Sequence, residues 1–198
     1  MFLDFIKNIS LLLSLCILYS FITRIRHQNI IFHKILSGLI FGGIALAGMA
    51  TPVIIAPGLI FDGRSIIISV AGLVGGWIVG IITAVIACSY RLHLNGTGSV
   101  TGCLVILSSA VIGIAYHKYF KSKFSELKYK DVYIMGLLVH IAMLLLMLTL
   151  PKDSAIEVLK NISLPVIILY PLGVILLWLL LADLEKHNNA EILLLESE

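Results

Sequence analysis

Long apolar runs alternate with short polar stretches along the whole chain. Each run is close to or above the roughly 20 mostly apolar residues that a helix needs to cross a bilayer. The pattern predicts an all-α, polytopic transmembrane helical bundle of one domain, because no soluble stretch of domain size interrupts it. The six predicted membrane-spanning helices are Phe2–Phe21, Ile35–Ile55, Ile66–Ser89, Val100–Phe120, Val132–Leu150 and Ile162–Ala182.

Composition agrees with a membrane protein and excludes several other classes. Hydrophobic residues make up 60% of the 198 residues, and the mean hydropathy is +1.08, whereas soluble domains hold about 45–50% apolar residues. Loops on the cytoplasmic side of a membrane account for a net charge of +3, and no basic, aromatic-rich patch indicates nucleic-acid binding. The three cysteines are isolated, so we expect no disulfide framework, no metal site and no cofactor.

Lysines concentrate in the connection between the fourth and fifth runs. Residues 116–130 carry five lysines and one glutamate, and cytoplasmic loops are enriched in Lys and Arg. This places the connection in the cytoplasm of a cell-membrane protein and, with six continuous spans, both termini as well. The assignment puts eight of the 14 Lys and Arg residues inside, namely Lys7, Arg64, Lys118, Lys121, Lys123, Lys128, Lys130 and Lys186, and leaves six outside, Arg91 among them.

One stretch, residues 57–102, combines charged residues with glycines. Within it Gly72, Gly76 and Gly80 recur every four residues. On a helix this spacing lines small residues along one face, so that a neighbouring helix can approach closely. We therefore expect these three glycines to form a helix-packing face.

The path of the third run decides how its two flanking arginines are related. A straight helix would place Arg64 and Arg91 on opposite sides of the membrane, because the run is long enough to cross it. A break at Gly75-Gly76 would instead let both arginines approach one cavity. The sequence leaves both arrangements open.

Prolines predict irregular backbone at two places. Pro52 and Pro57 make residues 51–64 irregular, and we expect this segment to be buried against protein, because irregular backbone exposed to lipid is not tolerated. Pro165 and Pro171 predict a kink in the sixth span. Both predictions concern backbone that neighbouring helices have to satisfy.

The chemistry of the polar residues indicates anion binding rather than catalysis. No P-loop, nucleophile elbow or HExxH motif is present, so we expect no catalytic residues and no enzymatic activity in this chain. Guanidinium groups bind carboxylates through paired hydrogen bonds. The alternative is that the arginines pair with Asp62 or lie at the lipid headgroups. The predicted ligand-binding residues are Asp62, Arg64, Arg91, Thr97, Ser99 and Cys103.

His140 lies in the middle of the fifth run. A histidine at this depth can serve as a proton relay or touch a ligand. The favoured interpretation is a neutral histidine that is hydrogen-bonded to a neighbouring helix, because buried polar groups need a partner.

The polar tail that follows the sixth run still favours a helix. Residues 183–198 are predicted to be a cytoplasmic signalling helix, or a linker to an output module in a longer parent chain. Residues 1–182 then form the transmembrane domain. Apolar residues in the tail lie at roughly heptad intervals over only two heptads, which gives little support to a coiled coil.

Three motifs resemble the LytS-type five-transmembrane sensor domain. They read PGLIFDGRS, GLVGGWIVG and YRLHLNGTGSVTG, and the resemblance covers about residues 35–182, with the first helix added before the five-helix unit. That domain precedes bacterial and archaeal sensor histidine kinases and some diguanylate cyclases, so the resemblance implies signal reception. Some members respond to 2-oxo acids such as pyruvate through the motif arginines, which are Arg64 and Arg91 here, with Cys103 as a looser match.

Three hypotheses follow for the function. The first is a sensor that binds a small carboxylate between its helices, works as a homodimer in the lipid bilayer, and relays the change to a cytoplasmic output domain, a histidine kinase by preference. The second is a small-solute transporter or a membrane substrate-binding subunit, since a fainter resemblance exists to the substrate-binding subunits of ECF vitamin transporters. The third is a purely structural membrane protein.

Overall fold

The computed structural model describes residues 14–20, 29–50, 53–56, 59–120 and 124–195. These residues form a helical bundle with one small β-ribbon. The elements in chain order are α1 (14–20), α2 (Ile30–Ala50), β1 (Val53–Ala56), β2 (Leu59–Phe61), α3 (Arg64–His93), α4 (Ser99–Phe120), a 3-10 turn (Phe124–Glu126), α5 (Tyr129–Leu146), a second 3-10 turn (Met147–Thr149) and α6 (Lys152–Leu195).

Five helices in the described part of the chain are long and apolar enough to cross a membrane. They correspond to the second to sixth predicted spans and confirm the prediction of a polytopic helical bundle. The first predicted span, Phe2–Phe21, lies outside the described residues except for 14–20, so this span stays a prediction.

α3 is not a straight helix but reverses its direction at Gly76. Gly76 has φ 68° and ψ −152°, a backbone conformation that glycine adopts and other residues almost never do. A Cβ placed on Gly80 would lie 3.3 Å from the Cα of Gly72. Residues eight apart on a continuous helix are about 12 Å apart. α3 is therefore a helical hairpin with a first half (residues 64–75) and a second half (77–93).

The glycines of α3 have two different roles. Gly72 and Gly80 lie where the two halves meet and where α4 packs on both, since a Cβ on either glycine would lie 2.8 Å from Ile114. Gly76 forms the reversal itself. The small-residue pattern thus serves the contact of α3 with itself as well as with α4, because close approach is needed on both sides.

A histidine from α4 compensates for the break in α3. Nδ1 of His117 donates a hydrogen bond to the carbonyl oxygen of Leu73 at 2.7 Å. That carbonyl would otherwise pair with the N–H of Trp77, which follows the reversal. Since an unsatisfied backbone group is unfavourable in an apolar environment, the contact stabilises the broken helix.

The connection before α3 forms a β-ribbon where the sequence predicts irregular backbone. β1 and β2 pair antiparallel, with Val53 opposite Phe61 and Ile54 opposite Ile60, and the register shifts before Ala56 pairs with Leu59. The prediction of irregular structure over residues 51–64 is therefore wrong for the described strands. Antiparallel pairing satisfies their backbone groups within the ribbon itself.

The reversal of α3 gives the bundle two chemically different ends. We call the first the site end: it holds the beginning and the end of α3, the beginning of α4, and the turn after α5, where Thr101 and Thr149 lie 2.7 Å apart through their hydroxyl oxygens. We call the second the lysine end: it holds Gly76 and the end of α4. Here Nε1 of Trp178 donates to the carbonyl oxygen of Phe124 at 2.7 Å.

Arg64 and Arg91 lie at the same end of the bundle. A charge assignment that places Arg64 inside and Arg91 outside is wrong, because it assumes a continuous α3. α2 runs parallel to the second half of α3, since Gly38 packs on Ile82 and Gly42 on Ile86. The beginning of α2, with Lys34, therefore lies at the lysine end.

α6 is the longest helix and leaves the bundle at the lysine end. It continues from Lys152 to Leu195 with Pro165 and Pro171 inside it. At about 1.5 Å per residue it is roughly 66 Å long, about twice the hydrocarbon thickness of a bilayer. Its middle packs in the core, where Val174, Leu177 and Leu181 are fully buried.

Candidate functional site

The site contains an ion pair at the beginning of α3. Nη1 of Arg64 lies 3.3 Å from Oδ2 of Asp62, and the Arg64 N–H donates to Oδ1 of Asp62 at 3.1 Å. Asp62 is only 7% exposed. Because the carboxylate accepts from the first backbone N–H of the helix, its negative charge lies at the positive end of α3.

Two influences act in opposite directions on the pKa of the Asp62 carboxyl group: its burial and the neighbouring guanidinium groups. Burial raises the pKa of Asp62 above its ordinary value, while Arg64 and, more weakly, Arg91 lower it. The negative charge at this position therefore depends on the two arginines. The three residues form one electrostatic unit, although 27 residues separate the two arginines along the chain.

The second half of α3 carries Arg91 back to the same place. Arg91 is 8% exposed and interacts electrostatically with both Arg64 and Asp62. On a straight helix Arg64 and Arg91 would be about 40 Å apart. The reversal at Gly76 brings the two positive charges together, and this is the second arrangement that the sequence leaves open.

Two glycines of the loop and of α4 make room for the Arg91 side chain. A Cβ placed on Gly102 would lie 2.5 Å from Nε of Arg91, and one on Gly98 would lie 3.3 Å from Nη2. The guanidinium group therefore lies against the beginning of α4, where backbone N–H groups point outward. Such a helix terminus favours negative charge.

Two polar atoms, one on Arg91 and one at the beginning of α4, have no hydrogen-bond partner among the described residues. They are Nε of Arg91 and Oγ of Ser99, the first residue of α4, and both atoms are buried. Buried polar atoms in folded proteins are almost always paired. Arg91 packs against the first turn of α4 and Ser99 belongs to that turn, and an N–H donor and a hydroxyl group with unused hydrogen-bonding capacity suit an acceptor oxygen of an anion.

The remaining predicted site residues have different surroundings. Cys103 is half-buried, and its Sγ lies 3.9 Å from the carbonyl oxygen of Cys88 on the second half of α3. Thr97 is exposed in the loop before α4 and lies outside the buried cluster. The hydroxyl of Thr101 contacts Thr149. Of the predicted set, Asp62, Arg64 and Arg91 form the charged cluster, and Ser99 and Cys103 lie in the first two turns of α4, against which Arg91 packs.

A second polar group links the site to α5 and α6. His140 is fully buried, and its Nδ1–H donates to the carbonyl oxygen of Gly136 at 2.7 Å. In the neutral ring Nε2 is then an acceptor, and it receives the hydroxyl of Ser65 at 3.1 Å. This confirms the interpretation of His140 as a histidine hydrogen-bonded to a neighbouring helix. The rings of His140 and Tyr170 on α6 pack in a T-shaped arrangement, with 5.0 Å between the ring centroids.

Comparison with known families supports the sensor interpretation. The family model 5TM-5TMR_LYT, described as 5TMR of 5TMR-LYT, matches residues 17–184. The chain belongs to this family. It is a LytS-type five-transmembrane sensor domain, as the three motifs indicate, and hence a multi-pass membrane sensory domain. No curated protein and no solved structure matches it.

The 5TMR-LYT match covers the residues that form the site, including some that the sequence did not assign to it. Gly102 makes room for Arg91, yet a glycine near a helix start gives no signal for such a role. Ser65 is hydrogen-bonded to His140, and the hydroxyl of Tyr170 donates to the carbonyl oxygen of Asp62. Only their position beside His140 in space reveals them, because Tyr170 lies 108 residues after Asp62 in the chain.

Proposed function

We propose that this LytS-type domain senses a small carboxylate, a 2-oxo acid such as pyruvate, which binds between Arg64 and Arg91. The observation that carries the proposal is the pair of buried, unpartnered atoms, Nε of Arg91 and Oγ of Ser99. Arg91 packs against Gly98 and Gly102 at the beginning of α4, and Ser99 belongs to the same turn. Each charge-assisted hydrogen bond to the ligand contributes about 1.5–3 kcal/mol.

Asp62 gives the proposed site a two-state character. In the described state its carboxylate pairs with Arg64. A ligand carboxylate competes for the same guanidinium group and replaces Asp62, so that the segment before α3 changes its contacts. A ligand can shift such an equilibrium only by its difference in affinity between the two states.

The orientation of the site follows from the charges of the lysine end. The connection after α4 carries five lysines, and Lys34 and Lys186 lie at the same end of the bundle. By the positive-inside rule this end faces the cytoplasm. The site then opens away from the cytoplasm, and the last part of α6 extends into it.

The output of the proposed sensor leaves through α6. The helix continues to Leu195, well beyond the length needed to cross the bilayer. We propose that it relays ligand binding to a cytoplasmic output module of the parent chain, a histidine kinase by preference, and that two chains act as a homodimer. In this proposal the chain itself carries no catalytic residues.

Binding measurements on purified variants test the proposed site. Calorimetry and thermal-shift assays with pyruvate, lactate, acetate and succinate are compared among the natural chain, Arg64→Ala and Arg91→Ala. We expect saturable binding of one acid that weakens at least tenfold in each variant, since each loses a charge-assisted contact. Unchanged binding in both variants would place the ligand elsewhere, and no binding to the natural chain would reject the carboxylate proposal.

Cysteine labelling tests the orientation. Thr97 and Lys186 are exposed at opposite ends of the molecule, so Thr97→Cys and Lys186→Cys are compared in a chain whose native cysteines are replaced by alanine. A membrane-impermeant maleimide should label the first variant in intact cells and the second only after lysis. The reverse pattern would mean that the site opens toward the cytoplasm.

The broken α3 gives some support to a second candidate, a solute transporter. Broken helices whose ends meet at a bound substrate are common in secondary transporters. Uptake of labelled pyruvate into proteoliposomes distinguishes the two functions. Uptake that Arg91→Ala abolishes would favour transport, whereas binding without uptake favours the sensor.

A further inference from the structure

A short chain of contacts leads from the ion pair to α6. The carbonyl oxygen of Asp62 accepts a hydrogen bond from the hydroxyl of Tyr170 at 3.5 Å. The carboxylate of the same residue holds Arg64. Asp62 therefore contacts the proposed ligand site through its side chain and contacts α6 through its backbone, so that a change in one contact changes the geometry of the other.

His140 fixes the position of the Tyr170 ring. Its two ring nitrogens are held by the carbonyl oxygen of Gly136 on its own helix and by the hydroxyl of Ser65 in the first turn of α3. The imidazole is fully buried and packs against the ring of Tyr170 at an interplanar angle of 70°. Aromatic pairs in this edge-to-face geometry add about 0.5–1.5 kcal/mol beyond the burial of their area.

α6 can bend directly after Tyr170. Pro171 has no N–H and cannot donate to the carbonyl of Ile167, which weakens the helix at this turn. α5 and α6 touch closely here, since a Cβ on Gly136 would lie 2.9 Å from the Cα of Pro171. A displacement of Tyr170 therefore acts at the point of α6 that bends most easily.

We propose that Tyr170 couples the Asp62–Arg64 pair to α6, and that His140 is a positioning residue for its ring. This inference rests on the proposed function, of which it names the output contact. When a carboxylate ligand takes Arg64 from Asp62, the backbone of Asp62 shifts, Tyr170 loses or changes its hydrogen bond, and α6 bends at Pro171. The bend reaches the lysine end, where α6 leaves the bundle.

Trp178 is a native reporter for this movement. It lies on α6 eight residues after Tyr170, is 3% exposed, and its Nε1 donates to the carbonyl oxygen of Phe124 at 2.7 Å. The other tryptophan of the chain, Trp77, is exposed and can be replaced by phenylalanine. The emission of a Trp77→Phe reference chain then reports the surroundings of α6 at the lysine end.

The experiment changes the site in two independent ways and follows Trp178. The first is the substitution Asp62→Asn, which needs no ligand and removes the charge that holds Arg64. The second is a titration with pyruvate, with affinity measured separately by calorimetry. Both changes are studied in full-length chains in nanodiscs. Three chains are compared: the reference chain, the reference chain with Tyr170→Phe, and the reference chain with Tyr133→Phe. The last is the matched control, since Tyr133 is exposed on α5.

We expect both changes to alter Trp178 emission in the reference chain and in Tyr133→Phe. Tyr170→Phe should reduce the response at least fivefold while pyruvate affinity stays within threefold. A merely structural role would lower thermal stability and leave the response intact. Ser65→Ala, which removes the donor to His140, should reduce the response at least twofold, and an unchanged response would remove His140 from the proposal.

Two results would overturn the coupling by Tyr170. One is a Trp178 response to Asp62→Asn that is equally large in Tyr170→Phe and in the reference chain. The other is the absence of any response to Asp62→Asn in the reference chain. Failure of pyruvate to bind the reference chain would reject the proposed ligand instead, because the Asp62→Asn comparison still decides the coupling.

Discussion

The two ends of the bundle hold their charged residues in opposite ways. At the site end Asp62 and Arg91 are less than a tenth exposed, and glycines make room for the guanidinium group. At the lysine end Lys118, Lys128 and Lys130 are exposed to solvent or to headgroups. Buried charge is unfavourable unless it is paired, so its presence indicates a built site, whereas exposed lysines determine only the orientation in the membrane.

The largest effect should come from removing the reversal that creates this difference. Gly76→Ala places a side chain at φ 68° and 2.9 Å from the His117 ring. We expect a loss of about 1–3 kcal/mol in the free energy of unfolding, because non-glycine residues are strained in this region. The free energy of unfolding is measured by titration with a denaturing detergent. Gly43→Ala is the control, since a Cβ on Gly43 meets nothing within 4 Å. Equal stability of the two variants would contradict the hairpin.

A smaller effect, on binding alone, is expected where the site end makes room for Arg91. Gly102→Ala brings a methyl group to 2.5 Å from Nε and displaces the guanidinium group, so pyruvate affinity should fall about tenfold, which is roughly 1.4 kcal/mol. Gly98→Ala approaches the same group only to 3.3 Å and should weaken binding less. Calorimetry measures both, and a larger loss in Gly98→Ala would mean that Arg91 binds in another position.

Asp62→Asn should strengthen binding slightly. The amide keeps an oxygen for the Arg64 N–H but no longer competes as a charge for the guanidinium group. We expect pyruvate affinity to rise about threefold, in line with the small net energies of exchanged hydrogen bonds. A loss of affinity would show that Asp62 supports Arg64 in its binding position instead of competing with the ligand.

The smallest effect is expected at the lysine end. Lys118→Ala and Lys128→Ala remove exposed charges, and substitutions of this kind usually change stability by less than about 0.5 kcal/mol. Pyruvate affinity should stay within twofold, as measured by the same calorimetry. A fall comparable to that of Gly102→Ala would mean that the two ends of the bundle do not differ in function as proposed.

The hydrophobic pattern alone predicted most of the helices. Five of the predicted runs match described helices, because about 20 apolar residues in sequence suffice to identify a span. The ends differ by up to five residues for four of them, whereas α6 begins ten residues earlier and ends 13 residues later than the predicted Ile162–Ala182. The ribbon of β1 and β2 was missed, since two prolines indicate irregular backbone but not its pairing. Thr97 was assigned to the site by its place in a polar loop, yet it is exposed.

The contact partners of the site could not be read from the chain. His140 was predicted to bond a neighbouring helix, but nothing in the sequence pointed to Ser65, which lies 75 residues earlier. Tyr170 was one more aromatic residue in an apolar run. Lipid and protein interior are both apolar, so hydrophobicity does not tell which face of a transmembrane helix meets another helix.

The sequence by itself determined the membrane class, the helices, the lysine-rich connection, and the motifs that carry the family and its two arginines. Only the tertiary structure decided that these arginines lie together at one end of the bundle. Gly75-Gly76 is compatible with a straight helix and with a reversal, because glycine permits both backbone conformations. The choice is made by packing, where Gly72 meets Gly80 and α4 lies against both, and by His117, which satisfies the carbonyl of Leu73 at the break.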